Sequence, residues 1–493
     1  VSQLSRKLAR LAGARPAIAP AACETHGTET QGTEAIATGV TATEAMVHAR
    51  AEPGDPPGER DADRAPALPL DLSPSREDRA ALKARIELLR DKMRALQEKS
   101  RSTVERASMQ ARARGLDALP FVREERHGGP VDVRARVYDV TSRHGKVPLS
   151  CALEATGRAV STLAIDPGLS GFDPARALFV DTETTGLSGG TGTLAFLVGC
   201  GRFDRGRFVV EQWFLRDPGE EPAMLCALRE RLEEATAIVS FNGKAFDLPL
   251  LRARYVMNRL GAPPTLPHFD LVHVARRIYG DRLAERRLVS LERDVLGFVR
   301  EGDVPGGEIP ARYASFLRDG RAEGLHQVIE HNLWDVIAMA ALLGELGARV
   351  TGGDASGRFE ASDLAGLART ALRAGEDELA IDLAQQALAR GAEPGARDAA
   401  SRAGAVAATA HRKRGEHSRS RDALLRVIAH APEDARAHLE LSKLYEHRYR
   451  DPERALAHAR LAIGAERDDA MARRLRRLEA RLRGSTLRLP GIH

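Results

Sequence analysis

The stretch that most constrains this chain is Ala177-Leu-Phe-Val180 running directly into Asp181-Thr-Glu-Thr-Thr-Gly186. Four consecutive apolar residues suit a buried strand. Successive strand side chains alternate between faces, so Asp181 and Glu183 project to the same side. Two carboxylates on one face at a strand end supply the hard oxygen donors that Mg2+ and Mn2+ prefer. A bare Asp-x-Glu pair is common at solvated strand ends, whereas DTETTG behind an apolar strand is a sharper signal. Gly186, Gly189, Gly190 and Gly192 then let backbone approach a ligand closely.

The residues that follow place this strand in a mixed α/β unit. Thr193–Cys200 and Arg207–Leu215, joined by Asp204-Arg-Gly206, read as a hairpin. A helix is expected from Pro222 to Glu234 and a buried strand over Ala237–Phe241, an order of β-β-β-α-β. Phe241-Asn-Gly-Lys-Ala-Phe-Asp247 leads into a helix, with Asn242 and Gly243 marking a tight turn. Asp247 falls in the first helical turn, where the macrodipole favours a carboxylate, so a purely structural role is an alternative. His331-Asn-Leu-Trp-Asp335 lies inside an expected helix from Gly324 to Leu346, and its His and Asp, four apart, share one face. Surface pairs of this kind are usual, but Val328, Ile329, Val336, Ile337 and Met339 flank this one and imply a buried helix.

The 493 residues leave room for two to four domains, and the 43% hydrophobic content rules out wholesale disorder. No run approaches 18 apolar residues, and the basic N-terminus lacks a signal peptide's continuous apolar stretch, so a soluble, cytoplasmic protein without a membrane partner is expected. Cys23, Cys151, Cys200 and Cys226 form no Cys-x-x-Cys pair, which excludes a zinc knuckle and leaves carboxylates to hold any metal. A net charge of +5 is too mild to prove a nucleic-acid partner, and 4% aromatics argue against base-stacking platforms.

Residues 1–72, rich in Ala, Thr, Gly, Pro and Glu without periodicity, are expected to be a disordered tail. Over 73–117 an amphipathic helical linker is expected, in which Leu82, Ile86, Leu89, Met93 and Leu96 form a seam of about two heptads. That seam would either pack on its own protein or self-associate. Residues 362–485 are Ala-, Leu- and Arg-rich and helical. Gly375, Gly415 and Arg450 close similar helix-turn-helix units, the last two 35 residues apart, close to the 34 of tetratricopeptide repeats. A helical solenoid of about three degenerate repeats, or a plain bundle, would follow.

DTETTG, FNGKAFD and HNLWD, in that order, resemble the three motifs of the DEDD 3′–5′ exonuclease superfamily. The closer likeness is to the bacterial YprB-like ribonuclease H-like domain, extending through PHFDLVHVARRIYG (267–280) and LERDVLGFVREGDVPGGEIPARY (291–313). The resemblance covers roughly 120–350. It implies an α/β fold, a ribonuclease H-like mixed sheet with flanking helices over 118–350, followed by the all-α tetratricopeptide-like domain over 362–485. Carried over by position, Asp181, Glu183, Asp247 and Asp335 would be the four metal-binding and catalytic acids, with two Mg2+ or Mn2+ ions. His331, also assigned to catalysis, stands four before the last acid, where the tyrosine subclass has Tyr. The histidine subclass has its His five before, where this chain has Glu330. Asp270, after the second motif, is read as structural.

The implied activity is metal-dependent 3′–5′ exonuclease cleavage of single-stranded DNA or RNA. Lys244, Arg276 and Arg277 would contact phosphates, and the repeats would recruit a protein partner. The alternative is a catalytically inactive nucleic-acid-binding or scaffold protein acting through its repeats. Another ribonuclease H-like activity, such as structure-specific endonuclease cleavage, is a third reading.

Overall fold

A computed structural model describes residues 119–186, 192–352, 359–391 and 396–486. The expected tail, the linker helix with its heptad seam, and Gly189 and Gly190 lie outside these residues. Nine strands are described: β1 (Val122–Arg126), β2 (Gly129–Asp139), β3 (Arg143–His144), β4 (Val147–Pro148), β5 (Ala177–Thr184), β6 (Ala195–Asp204), β7 (Arg207–Phe214), β8 (Ala237–Ser240) and β9 (His268–Asp270). Seven form one sheet in the order β1-β2-β7-β6-β5-β8-β9, and β3 pairs with β4. The helices around the sheet are α1 (Gly157–Ala164), α2 (Glu221–Glu234), α3 (Asp247–Met257), α4 (Leu271–Tyr279), α5 (Leu288–Leu291), α6 (Ile309–Asp319) and α7 (Leu325–Thr351). The hairpin is realised as expected: Arg205 (φ 47°) and Gly206 (φ 75°) make the two-residue left-handed turn whose twist matches its strands. The long helix runs five residues past the expected Leu346, to Thr351, because Leu346 and Arg349 are buried and keep it packed.

Strand β5 is where the sheet changes character. It pairs antiparallel with β6 on one side and parallel with β8 on the other. Ligands bind preferentially beyond the carboxyl ends of parallel strands where strand order reverses. The two faces of β5 feed two different cores. Ala177 and Phe179 join the cluster built with α4 and α7, and Leu178 and Val180 the cluster built with α2, α3 and α6. The period of two therefore carries the Ala177–Phe179 face on into Asp181 and Glu183. An apolar strand face turns acidic beside α7.

Seven further helices follow: α8 (Ala361–Ala374), α9 (Asp377–Ala389), α10 (Arg397–Lys413), α11 (His417–His430), α12 (Ala435–Leu444), α13 (Pro452–Leu461) and α14 (Asp468–Thr486). Consecutive members pack on one another. The first core cluster continues unbroken into them, from Leu364 and Leu367 of α8 to Leu478 of α14. Gly366 permits this docking, since a Cβ there would lie 2.6 Å from the Ile278 carbonyl oxygen of α4. The apolar core thus passes across the domain boundary expected between 350 and 362. No helix among the described residues is long and apolar enough to cross a membrane.

The three positions equated in the repeat pattern share one backbone conformation. Gly375 (φ 86°), Gly415 (φ 75°) and Arg450 (φ 52°) all adopt the left-handed region between helices. Arg450 is exposed there, and a left-handed conformation costs a residue with a Cβ about 1–2 kcal/mol. Arg450→Gly, after the larger unfolded-state entropy of glycine is deducted, is expected to stabilise the chain by about 0.5–1 kcal/mol, read as a rise in the urea midpoint.

Candidate active site

Three segments converge beyond the carboxyl end of β5. The first is the acidic end of β5 itself. Glu183 is 9% exposed, and a bulge between Glu183 and Thr184 ends the regular pairing with β6. The second is the loop from β8 into α3. Asn242 takes a left-handed conformation (φ 71°), which asparagine tolerates. Gly243 is required, because a Cβ would stand 2.5 Å from the Ser240 Oγ. Asp270 staples the loop: its Oδ1 accepts from the Asn242 N–H at 2.8 Å and its Oδ2 from the Lys244 N–H at 3.0 Å. Asp270 also caps α4 through the Val272 N–H. With both oxygens engaged by backbone donors, Asp270 acts on the loop's shape. The loop delivers Asp247 as the first residue of α3, where it accepts a hydrogen bond from the Thr182 hydroxyl of β5. The third segment is α7, which presents His331, Asn332 and Asp335.

The four acids sense one another. Burial pushes the Asp181 carboxyl well above the ordinary range, and the charges of Asp335, Glu183 and Asp247 add to the rise. Burial likewise raises Glu183 to about 8 and Asp247 to about 6. Like charges brought together in a poorly solvated site hold their protons. Three of the acids have hydrogen-bond partners of their own. Asn332 Nδ2 donates to Asp181 Oδ2 at 2.8 Å, Thr182 holds Asp247, and Arg300 donates to Asp335 Oδ1. Among the described residues, no three His, Cys, Asp or Glu side chains stand closely enough to enclose an ion as they are. The donor chemistry still fits a hard divalent cation: four carboxylates, all oxygen.

His331 is oriented by a residue outside the motifs. Its Nδ1 lies 2.6 Å from Asp303 Oδ1. A carboxylate only accepts, so Nδ1 carries the hydrogen and Nε2 is left facing inward. Nε2 stands 3.7 Å from Asp335 Oδ2 and 4.0 Å from Glu183 Oε1. Burial disfavours the imidazolium, but the Asp303 bond and the charges of Asp335 and Glu183 outweigh it and raise the ring to about 9.

Several of these contacts carry no signal in local spacing. Asn332 sits between the motif residues His331 and Asp335, yet it is fully buried and holds Asp181. It is held in turn by Gln212 Nε2 of β7 at 2.8 Å, and Gln212 by Arg134 of β2 at 3.1 Å. Glu292, Arg300 and Asp303 all lie in 291–313, the run through which the family resemblance extends, and that extension is the one signal that pointed to them. The expected phosphate contacts are spread out. Lys244 is exposed on the loop before Asp247, and Arg276 is exposed in the last turn of α4. Arg277 is half-buried and donates to the Leu163 carbonyl of α1, while its own carbonyl accepts from Arg369 of α8.

Comparison with known proteins agrees with this architecture. Residues 178–346 match the RNase H superfamily, spanning β5 to α7 and all three converging segments. A curated relative, "Uncharacterized protein YprB" of Bacillus subtilis (strain 168), is 34% identical over 231 residues, which is 45% of this chain and 54% of the relative. The chain thus spans about half the length of the curated relative it matches. Nucleases of this superfamily generally use divalent metals. Residues 178–346 are thus similar to the RNase H superfamily, whose members have a nuclease-type fold, and in this chain an all-α helical region follows them.

Proposed function

We propose that the chain is a metal-dependent nuclease of the DEDD type that removes nucleotides from the 3′ end of single-stranded DNA or RNA. The observation that carries this reading is the convergence of β5, the loop before α3 and α7, which brings Asp181, Glu183, Asp247 and Asp335 within electrostatic reach of one another and sets His331 Nε2 beside Glu183 and Asp335. Asp181, Glu183 and Asp247 would hold a Mg2+ or Mn2+ ion. Such a cation, when bound, supplies charge for the phosphodiester and acidifies a water. The charges of Asp335 and Glu183 and the Asp303 bond hold the metal-free ring protonated up to about 9, so His331 Nε2 would take that water's proton only where a cation on the acids offsets those charges, with Asp303 holding Nδ1. Lys244, exposed at the mouth of the site, is suited to a phosphate, as is Arg276 further along α4. The helices after α7 would be degenerate tetratricopeptide-like repeats that recruit a protein partner.

The test uses 5′-labelled single strands of DNA and RNA of equal sequence, with Mg2+, Mn2+ or EDTA. A metal-dependent ladder shortening from the 3′ end is the expected result and identifies the sugar. Cuts within a circular substrate would instead mark an endonuclease. Salt-sensitive binding without cleavage in any metal would overturn the enzyme reading in favour of a scaffold. His331→Gln is expected to slow cleavage about 10²-fold, the range of a single general base. It should also flatten the pH–rate profile, and a profile parallel to wild type would remove the base role.

A further inference from the structure

We propose that Arg300 is the resident cation of this site, standing at Asp335 where a second metal would otherwise be needed, so that the chain takes one exchangeable divalent ion. The inference rests on the metal-dependent reading above and concerns how many ions the acids can hold.

The Arg300 side chain is 1% exposed and is held on several sides. Its Nε donates to Glu292 Oε2 at 2.7 Å, and its Nη2 lies 2.6 Å from the same oxygen. Nη2 also donates to Asp335 Oδ1, and Nη1 lies 3.4 Å from Asp303 Oδ2. The guanidinium carbon is 5.6 Å from the centre of the Trp334 ring. Glu292, fully buried, is anchored through its other oxygen to His144 Nε2 at 2.7 Å. A guanidinium does not lose its proton in a protein, so this charge is permanent. Moving it aside would leave the buried Glu292 carboxylate with only the His144 ring beside it, which is strongly unfavourable.

The acids therefore divide into two kinds. Asp335 has Oδ1 on Arg300, while its Oδ2 faces the His331 ring, 3.7 Å from Nε2. Asp181 and Asp247 are held by neutral donors, the Asn332 amide and the Thr182 hydroxyl. An amide or a hydroxyl can remain bonded to a carboxylate that also meets a cation, whereas the guanidinium has already neutralised its partner. Asp181, Asp247 and Glu183 are thus the acids left for an exchangeable ion. Two-ion clamping of a phosphodiester needs a carboxylate set for each ion, and Arg300 has closed the second.

The experiment is Mn2+ titration of the full chain, read by the electron paramagnetic resonance signal of free Mn2+ and by calorimetry. The expected result is one Mn2+ per chain, lost in Asp181→Asn and retained in Arg300→Lys. The paired variant Arg300→Gln with Glu292→Gln, which leaves no unpaired Glu292 charge, is expected to bind two. Two Mn2+ in the wild-type chain would overturn the inference while leaving the metal reading intact, and this count needs no variant to fold. A folded Arg300→Gln/Glu292→Gln chain that still binds one would overturn it as well. No binding in the wild type would overturn the metal reading and this inference together.

Discussion

Asp181→Asn is expected to make the metal-free chain more stable while abolishing its response to metal. The sign follows from the direction of the shifts. Burial raises Glu183 from 4.5 to about 8 and Asp247 from 3.8 to about 6, and holds Asp181 well above its ordinary value. A carboxyl whose pKa is higher folded than unfolded contributes stability that is complete below the unfolded value and is lost as pH rises through the folded one. The site of the metal-free protein therefore loses stability between about pH 4 and 8. His331, raised to about 9, adds in the same sense above its unfolded value of 6.5.

The introduced amide still accepts from Asn332 and removes one charge from the cluster. A gain of about 1–3 kcal/mol at pH 8 is expected, since each pKa unit is worth about 1.4 kcal/mol, and the gain should vanish near pH 4. Mn2+ at about 100 times its Kd should stabilise the wild-type chain by about 2.7 kcal/mol, a rise in Tm of roughly 3–4 °C for a chain of this size, and the variant by almost nothing. Cleavage by the variant should fall about 10³-fold, the scale of losing one preorganised electrostatic contact. Thermal melts over pH 4–8.5, with and without metal, check all of this. A metal-free variant less stable than wild type at pH 8 would contradict the reading of the cluster.

Gly199→Ala is expected to damage the same site without touching an acid. Gly199 faces Asp181 across the β5–β6 ladder. A Cβ there would lie 2.3 Å from Asn332 Oδ1 and 3.0 Å from its Nδ2. Asn332 cannot withdraw freely, because Gln212 donates to its Oδ1 and its own Nδ2 donates to Asp181. The added methyl must displace either the amide or the strand. Overpacking of this kind costs about 1–3 kcal/mol. Shifting Asp181 by a fraction of an ångström should lower cleavage by about 10–100-fold. Gly171→Ala is the control: a Cβ there meets nothing within 4 Å, so its urea midpoint and rate should match wild type. If Gly199→Ala behaves like the control, the amide at Asn332 does not position Asp181.

What could be read directly from the chain is whatever is encoded by local periodicity. The apolar run before Asp181, the period of two that puts Asp181 and Glu183 on one face, the hairpin closed at Arg205-Gly206 and the helical spacing of His331 and Asp335 depend only on near neighbours, and each recurs in the fold. The same holds for Gly375, Gly415 and Arg450, whose equivalence was legible as a spacing and reappears as one shared left-handed turn. The charged partners of the site depend instead on contacts between segments far apart in sequence. Arg300 reaches Asp335 across 35 residues, Glu292 meets His144 across 148, and Asn332 meets Asp181 across 151. No local pattern distinguishes a buried, paired arginine from one of many exposed arginines in an arginine-rich chain. Arg277, which sequence reasoning sent to a phosphate, faces a carbonyl of α1 for the same reason. The acids were therefore legible as positions on local elements: the end of β5, the first turn of α3 and one face of α7. Which countercharges they meet was decided only by tertiary packing, because burial and charge pairing are properties of the assembled site.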